Sequence, residues 1–355
     1  MGGSAFATIG PFPRLSRALY TALKARHTAS LSTVYTQVCT PLEAPEKQDH
    51  GDIDFLVYSP ENLPSHDTVK ELLGAEHVMP MPGPRTSNYA IPIPEDEFNT
   101  QMHVGWYQVD VHVCASPEDF AGVRFFHSYG DMGMILGLVA RHSGLHLGVH
   151  GLKYPNPPNP GIMLSTDFNA IADFIGCDMK RYDQGFTTKR ALFDWIAKSR
   201  FFVPRMFGRG DAEGGKVKQE RKMYWEFVAW ARSQPDSDSS DESPADRQNR
   251  IREEALRHFD KHVVLNVQMD EITARSRLKA AFNGKIVAEW AEMGTHWRGV
   301  KMIMDRVREQ CGGGDEYVMK MLDNEENGEE KLIQMVIQAR EDLGLTKASD
   351  FVSGN

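Results

Sequence analysis

The chain has 355 residues, which as a soft prior suggests two or three domains. It is 41% hydrophobic and 10% aromatic, enough for a core, and no run approaches the roughly 18 apolar residues that a membrane span needs. The net charge of −9 argues against a surface that clamps nucleic acid through uniform positive charge, and four cysteines (39, 114, 177, 311) without a CxxC pair exclude a disulfide scaffold and argue against a cysteine-based zinc site.

The opening residues carry no basic segment followed by an apolar one, so no secretory signal is expected. The cysteine usage fits an intracellular setting, cytoplasmic or nuclear, with no membrane and no disulfide-linked partner. Residues 14–26 put Leu15, Leu19 and Leu23 at helical spacing and predict a helix. Residues 32–39 (STVYTQVC) are β-branched and alternating, a strand; 41–50 are a loop; 53–58 (IDFLVY) are a strong strand; 65–73 suit a short helix. Residues 89–93 predict a strand that Pro92 and Pro94 confine to a sheet edge. Residues 106–114 (WYQVDVHVC) predict a second strong strand, so 32–114 reads as a mixed α/β sheet. A long helix is expected from Ser128, which forms a capping-box-like pair with Asp131, to Gly144. Gly133 and Gly137, four apart, would let a neighbour's backbone approach closely. Residues 147–154 suggest a strand, and 154–160 (YPNPPNP) a rigid boundary.

Beyond that boundary the pattern turns helical: 167–175 behind a Ser165/Thr166 cap, 187–199 and 218–232. Residues 233–246 hold five acids, no bases and no bulky apolar residue, so they cannot offset their ordering entropy and read as a disordered linker. Helices resume over 244–263, 269–282, 286–292, 300–311 and 329–343, with breaks at glycines 312–314 and at Asn327-Gly328. The expected organisation is a first domain over 1–155, a helical domain over 156–232, the acidic linker over 233–246 and a helical region over 247–355. Residues 315–330 hold seven acids against one lysine, so these two acidic segments carry the negative balance and the rest is near neutral. A polyanionic substrate is therefore compatible with the overall charge.

The sharpest motif is His50-Gly51-Asp52-Ile53-Asp54-Phe55-Leu56-Val57. Strand periodicity puts Asp52 and Asp54 on one face and Ile53, Phe55 and Val57 on the other. Two carboxylates held together call for a cation, and hard oxygen donors select Mg²⁺ or Mn²⁺. In Tyr107-Gln108-Val109-Asp110-Val111-His112-Val113 the valines share one face, and Asp110 shares the other with Gln108 and His112. If the two strands pair side by side, Asp110 joins the two aspartates, and three carboxylates can hold two metals for in-line displacement at phosphorus.

The order Gly-Asp-hydrophobic-Asp-hydrophobic, followed by hydrophobic-Asp-hydrophobic on a later strand, resembles the polymerase-β-type nucleotidyltransferase superfamily over roughly residues 14–150. The resemblance implies an α/β (α+β) mixed sheet with a mainly helical C-terminal region that closes over a nucleotide. It implies transfer of a nucleoside monophosphate from an NTP to an acceptor, which can be an RNA end, a small molecule or a protein. Asp52 and Asp54 would ligate both Mg²⁺ (or Mn²⁺) ions, and Asp110 would ligate the catalytic ion and help deprotonate the acceptor. The superfamily carries a Gly-Ser or Gly-Gly turn about ten residues before the first aspartate; here the stretch reads Cys39-Thr40-Pro41-Leu42, and Pro41 lacks an N–H. Thr40, Lys47 and Gly51 are the nucleotide-binding candidates. The alternative is a catalytically inactive nucleotidyltransferase fold that serves as a binding or scaffold module, and a metal-dependent phosphohydrolase is a third reading.

His50 and His112 flank the expected metals and read as supporting or surface residues, because imidazole is a poor ligand for Mg²⁺. His127, His142, His146 and His150 form no zinc-binding spacing and read as scattered. Residues 198–222 carry eight Lys/Arg against three Asp/Glu, and their glycine-rich middle would either grip phosphates or be a solvated loop.

Overall fold

The computed structural model describes residues 4–61, 63–93, 105–207, 217–235, 242–324 and 327–348. The middles of the acidic linker (236–241) and of the basic loop (208–216) lie outside the described residues. The chain divides into two units, 1–261 and 262–355, so the first unit runs across the boundaries expected at 155, 232 and 246.

In the first unit β1 (Leu15–Ser16) leads into α1 (Arg17–Leu31), started by the Ser16 side chain, which accepts the Leu19 N–H. The helix buries Leu19, Tyr20, Leu23, His27 and Leu31 along one face. It runs five residues further than the sequence pattern predicts, and Tyr35 N–H then bonds to Leu31 O. This turn absorbs the first half of the expected strand at 32–39, leaving only β2 (Gln37–Cys39). The short β3 (Asp49–His50) pairs with β1 inside what the sequence reads as a loop. Next come β4 (Asp52–Tyr58), α2 (His66–Leu73), β5 (His77–Met79), β6 (Thr86–Pro92) and β7 (Trp106–Val113).

These strands make a five-stranded mixed sheet in the order β2-β4-β7-β6-β5, with β4 and β7 parallel and the other neighbours antiparallel. The edge placement expected for residues 89–93 is corrected: β6 is interior, because the short β5 covers its outer side and Pro92 stands at its last position. One sheet face packs Ile53, Phe55, Val57, Tyr89, Val109 and Val111 against Leu19 and Leu23 of α1 and Val69 and Leu73 of α2. Fully burying a side chain such as Ile53 or Phe55 contributes about 1.5–3 kcal/mol. The polar members of the same strands are thereby turned to the opposite face.

That opposite face is bounded at the C-terminal ends of β4 and β7 by α3 (Pro117–His127), a helix absent from the sequence reading, whose Val123 packs on Leu56 and Cys114. The single helix expected from Ser128 is also corrected. Ser128 ends α3, with its hydroxyl donating to Arg124 O and accepting Leu42 N–H. Tyr129 and Gly130 then take left-handed backbone angles (φ 57° and 70°), which no helix can pass through, and α4 (Met132–His142) begins beyond them. Gly133 does allow a close approach: a Cβ there would stand 2.0 Å from Phe126 O.

The strand expected at 147–154 is two strands, β8 (His146–Gly148) and β9 (Gly151–Asn156), joined by a tight turn. With β10 (Asn159–Ser165) they form an antiparallel three-stranded sheet, so 154–160 is the end of a hairpin that turns at Pro157-Pro158. Helices α5 (Phe168–Ile175), α6 (Met179–Gln184), α7 (Lys189–Ala197), α8 (Lys222–Arg232) and α9 (Pro244–His258) complete the unit. The cap of α5 is Asp167, whose carboxylate accepts Asn169 N–H, and not Ser165 or Thr166. Asp131 anchors α8 by accepting from both Arg221 and the Tyr224 N–H.

The second unit is helical: α10 (His262–Ala281), α11 (Gly284–Trp290), α12 (Trp297–Cys311), α13 (Asp315–Asn324) and α14 (Gly328–Asp342). Its core centres on Val287, Ile303, Val307, Val318, Leu332 and Val336. The glycines at 312–314 break it as expected, with Gly312 ending α12 in a left-handed conformation. The acidic stretch from 315 is nevertheless helical, since Val318 and Met321 supply an apolar face.

Candidate functional site

The site is built by two adjacent parallel strands. In the β4–β7 register Asp52 stands opposite Gln108 and Asp54 opposite Asp110, so strand periodicity delivers all three carboxylates to the sheet face that α1 and α2 leave open. They line a cavity of about 820 Å³ within the first unit, together with Lys47, His112 and His127 among others. Asp54 is open to that cavity yet ringed by protein atoms: burial first, then the charges of Asp52 and Asp110, push its carboxyl up to about 7. Burial also raises Asp110, opposed by two hydrogen bonds of 2.7 Å each from Asn88 Nδ2 and Gln108 Nε2. Both bonds fall on Oδ1. Asn88 comes from β6, directly opposite Asp110. Among the described residues no lysine or arginine forms an ion pair with any of the three aspartates.

An all-carboxylate donor set of this kind, strained by its own charge and only partly offset by Lys47, fits a hard divalent cation such as Mg²⁺ or Mn²⁺.

The other nucleotide-binding candidates are placed unequally. Lys47 lines the cavity, at 3.6 Å from Glu43. Gly51 is buried just ahead of Asp52, and the partly buried Thr40 is not among the lining residues. The stretch Cys39-Thr40-Pro41-Leu42 is engaged in the fold at its last residue: Leu42 N–H is bound by Ser128 Oγ, and Leu42 O accepts Tyr129 N–H at 2.6 Å. His50 is buried, stacked on the Tyr20 ring at 3.6 Å between centroids, with its Nδ1 3.3 Å from Glu43; burial lowers its pKa to about 4, so it is neutral at pH 7. The Tyr20 hydroxyl donates to Glu43, and burial moves its pKa upward.

A second cluster was not foreseen. The donor atoms of His112, Cys114 and Asp119 all lie within 4.8 Å of one another, and His150 Nδ1 is 3.7 Å from Asp119 Oδ1. Sequence spacing concealed it because Asp119 reaches the cluster only through the unanticipated α3, and His150 through the turn between β8 and β9. The one legible signal was the run His112-Val113-Cys114-Ala115-Ser116-Pro117-Glu118-Asp119, with a Ser-Pro helix start placed between a strand and an acid. Burial pushes the Cys114 thiol up to about 12.

No family model and no curated protein matches the chain. Among solved structures, a crystal structure of Leishmania infantum polymerase beta in a ternary P/T complex is similar over 41% of this chain and 60% of that chain, at 14% identity and a TM-score of 0.30. This chain thus spans less than two thirds of that polymerase. The fold is a mixed α/β sheet followed by a helical C-terminal half. Among the described residues, no helix is long and apolar enough to cross a membrane.

Proposed function

We propose that the protein is a metal-dependent nucleotidyltransferase, transferring a nucleoside monophosphate from an NTP to an acceptor hydroxyl. The observation that carries this reading is the level pairing of Asp54 with Asp110, with Asp52 beside them, on the open sheet face over a cavity large enough for a nucleotide. Asp52, Asp54 and Asp110 would hold Mg²⁺ or Mn²⁺, two ions in the full complement. When bound, such ions neutralise the triphosphate and the charge that develops at phosphorus. Asp110 is the residue to receive the acceptor's proton. Asn88 and Gln108 fix its Oδ1, so Oδ2 is the oxygen for that transfer. Lys47 meets the triphosphate, whereas Thr40 and Gly51, which do not line the cavity, are given no contact with it. The acceptor can be an RNA end, a small molecule or a protein side chain.

Thermal melting of the full chain with Mn²⁺ and each NTP tests the reading, followed by incubation with α-labelled NTP and total RNA or lysate. NTP-dependent stabilisation that disappears in Asp52→Asn/Asp54→Asn supports it, and its absence with every NTP defeats it. The engagement of Leu42 N–H by Ser128, next to a proline without an N–H, favours a second reading: an inactive nucleotidyltransferase fold used as a binding module. That reading predicts stabilisation by nucleotide without release of pyrophosphate under any acceptor.

A further inference from the structure

We propose that His112, Cys114, Asp119 and His150 form a separate metal site on the wall of the same cavity, and that it takes a zinc-class transition-metal ion rather than magnesium. The four side chains arrive from three structural pieces. His112 stands near the end of β7, and Cys114 follows it, its N–H held by Val57 O at 2.8 Å. Asp119 lies in the first turn of α3, with its own N–H on the Ser116 cap. His150 sits in the turn between β8 and β9. Asp119 is already oriented: Oδ2 accepts Ala115 N–H at 2.9 Å, while Oδ1 points to His150 Nδ1 at 3.7 Å.

The distances suit a tetrahedral ion. Zinc–nitrogen and zinc–oxygen bonds of about 2.0–2.1 Å and a zinc–sulfur bond of about 2.3 Å set ligand atoms roughly 3.3–3.8 Å apart. The donor atoms of His112, Cys114 and Asp119, within 4.8 Å of one another, need only small rotations to reach that spacing, and His150, whose Nδ1 is 3.7 Å from Asp119 Oδ1, completes the set through movement of its exposed side chain. The donor types decide the metal. A thiol that becomes thiolate, with two imidazoles and one carboxylate, is a soft-to-borderline set that favours Zn²⁺ or Co²⁺, whereas the all-oxygen set of Asp52, Asp54 and Asp110 favours Mg²⁺ or Mn²⁺. Thr86 Oγ1 lies 3.0 Å from His112 Nδ1, the kind of outer partner that fixes a ligating imidazole. Asp110 and His112 are two residues apart on one face of β7, about 7 Å along a strand, so the two sites adjoin without sharing a ligand. An ion here ties β7, α3 and the β8–β9 turn together and so braces the wall of the carboxylate cavity. The site stands independently of the nucleotidyl-transfer reading.

The test is a Co²⁺ titration of the full chain after chelator dialysis. Expected is a thiolate-to-cobalt charge-transfer band with visible bands of tetrahedral intensity, saturating at a single equivalent, displaced by Zn²⁺ and unaffected by Mg²⁺. Cys114→Ser removes the charge-transfer band, and His150→Ala weakens Co²⁺ binding by at least about tenfold. Because the His150 side chain is 69% exposed, the latter variant keeps its fold and decides the matter should Cys114→Ser not fold. Asp52→Asn/Asp54→Asn retains both band and affinity, which separates this site from the carboxylate site. A wild-type chain without the band overturns the proposal. So does a band that survives in Cys114→Ser or is lost in Asp52→Asn/Asp54→Asn, or affinity unchanged in His150→Ala.

Discussion

Asp54 and Asp110 stand directly opposite each other across the parallel β4–β7 pair, and Asp110's charge, after burial and Asp52, helps to hold the Asp54 carboxyl at about 7. Two neighbouring strands in parallel register thus bring Asp54 and Asp110, 56 residues apart in sequence, onto one carboxylate-bearing face. Burial of Ile53, Phe55 and Val57 beneath fixes which way the carboxylates point.

If the carboxylates hold Mn²⁺ with NTP as proposed, binding stabilises the fold. With NTP and Mn²⁺ near a hundred times their dissociation constant, ligand-linked stabilisation is about 2.7 kcal/mol. For a unit of this size that is a rise of roughly 5–10 °C in melting temperature. Asp54→Asn and Asp110→Asn should each remove most of it. An unchanged rise in both variants would move nucleotide binding away from this face.

The raised pKa of Asp54 fixes a sign. Its folded value of about 7 exceeds the ordinary value of 3.8, so the folded chain holds this proton more tightly than the unfolded chain does. Without metal, the contribution of Asp54 to stability is full below about pH 4 and declines as pH rises through 7. Metal-free Asp54→Asn should therefore melt above wild type at pH 8 and alongside it at pH 4. Added Mn²⁺ should reverse the order at pH 8, and Mn²⁺ affinity of wild type should climb with pH until it levels above about 7. Melting curves across pH with and without Mn²⁺ check both statements.

Asn88 and Gln108 act on the same titration through Asp110. Each donates to Oδ1 and lowers the pKa that burial raises. A hydrogen bond to a charged group contributes about 1.5–3 kcal/mol, and about 1.4 kcal/mol is one pKa unit, so Asn88→Ala should move the acidic limb of the pH–rate profile up by roughly one unit. A profile that keeps its position and loses only amplitude would mean that Asn88 does not govern the ionisation of Asp110.

How far the sequence carried depended on periodicity. The period-2 runs around Asp54 and Asp110 were strong because one face is wholly apolar, and they were enough to assemble the carboxylates. α3 went unread because its apolar residues Phe120, Ala121, Val123, Phe125 and Phe126 spread round the helix and form no single stripe, and its start lies in the Ser116-Pro117 turn directly after a strand. Without α3 there was no way to bring Asp119 to Cys114, and without the β8–β9 turn none to bring His150. The helix expected from Ser128 failed for a backbone reason: Tyr129 adopts a positive φ, which its residue type does not announce. The close approach at Gly133 was legible because only a missing side chain admits it.

Gly122 provides a test of that packing. A Cβ there would meet Val149 O at 2.1 Å and Phe168 Cε2 at 3.0 Å, so α3 lies against the β8–β9 turn with no room for a methyl group. Backbone cannot swing aside as a flexible side chain can, and overpacking of this kind costs about 1–3 kcal/mol. Gly122→Ala should lower the unfolding midpoint of the first unit by several degrees, measured by thermal melting. An unchanged midpoint would mean that α3 moves away without loss.

Lys47 separates a role in phosphate binding from one in stability. Its ion pair with Glu43 is partly exposed and contributes about 0–1 kcal/mol, so Lys47→Ala should leave the unliganded melting temperature nearly unchanged. The ammonium lines the carboxylate cavity and also an adjoining one of about 670 Å³ that Arg17 and Lys24 help to line. A lysine at that junction can meet a triphosphate as a point charge, and loss of such a contact on the order of 1.4 kcal/mol weakens NTP tenfold. Lys47 also lowers the pKa of Asp54 through its charge, so its removal should shift the Mn²⁺-binding limb to higher pH. Calorimetric titration of Lys47→Ala with NTP, and of its Mn²⁺ affinity across pH, gives the two readouts independently. A shifted pH limb with unchanged NTP affinity would assign Lys47 to tuning the aspartates alone and put the triphosphate against another part of the cavity wall.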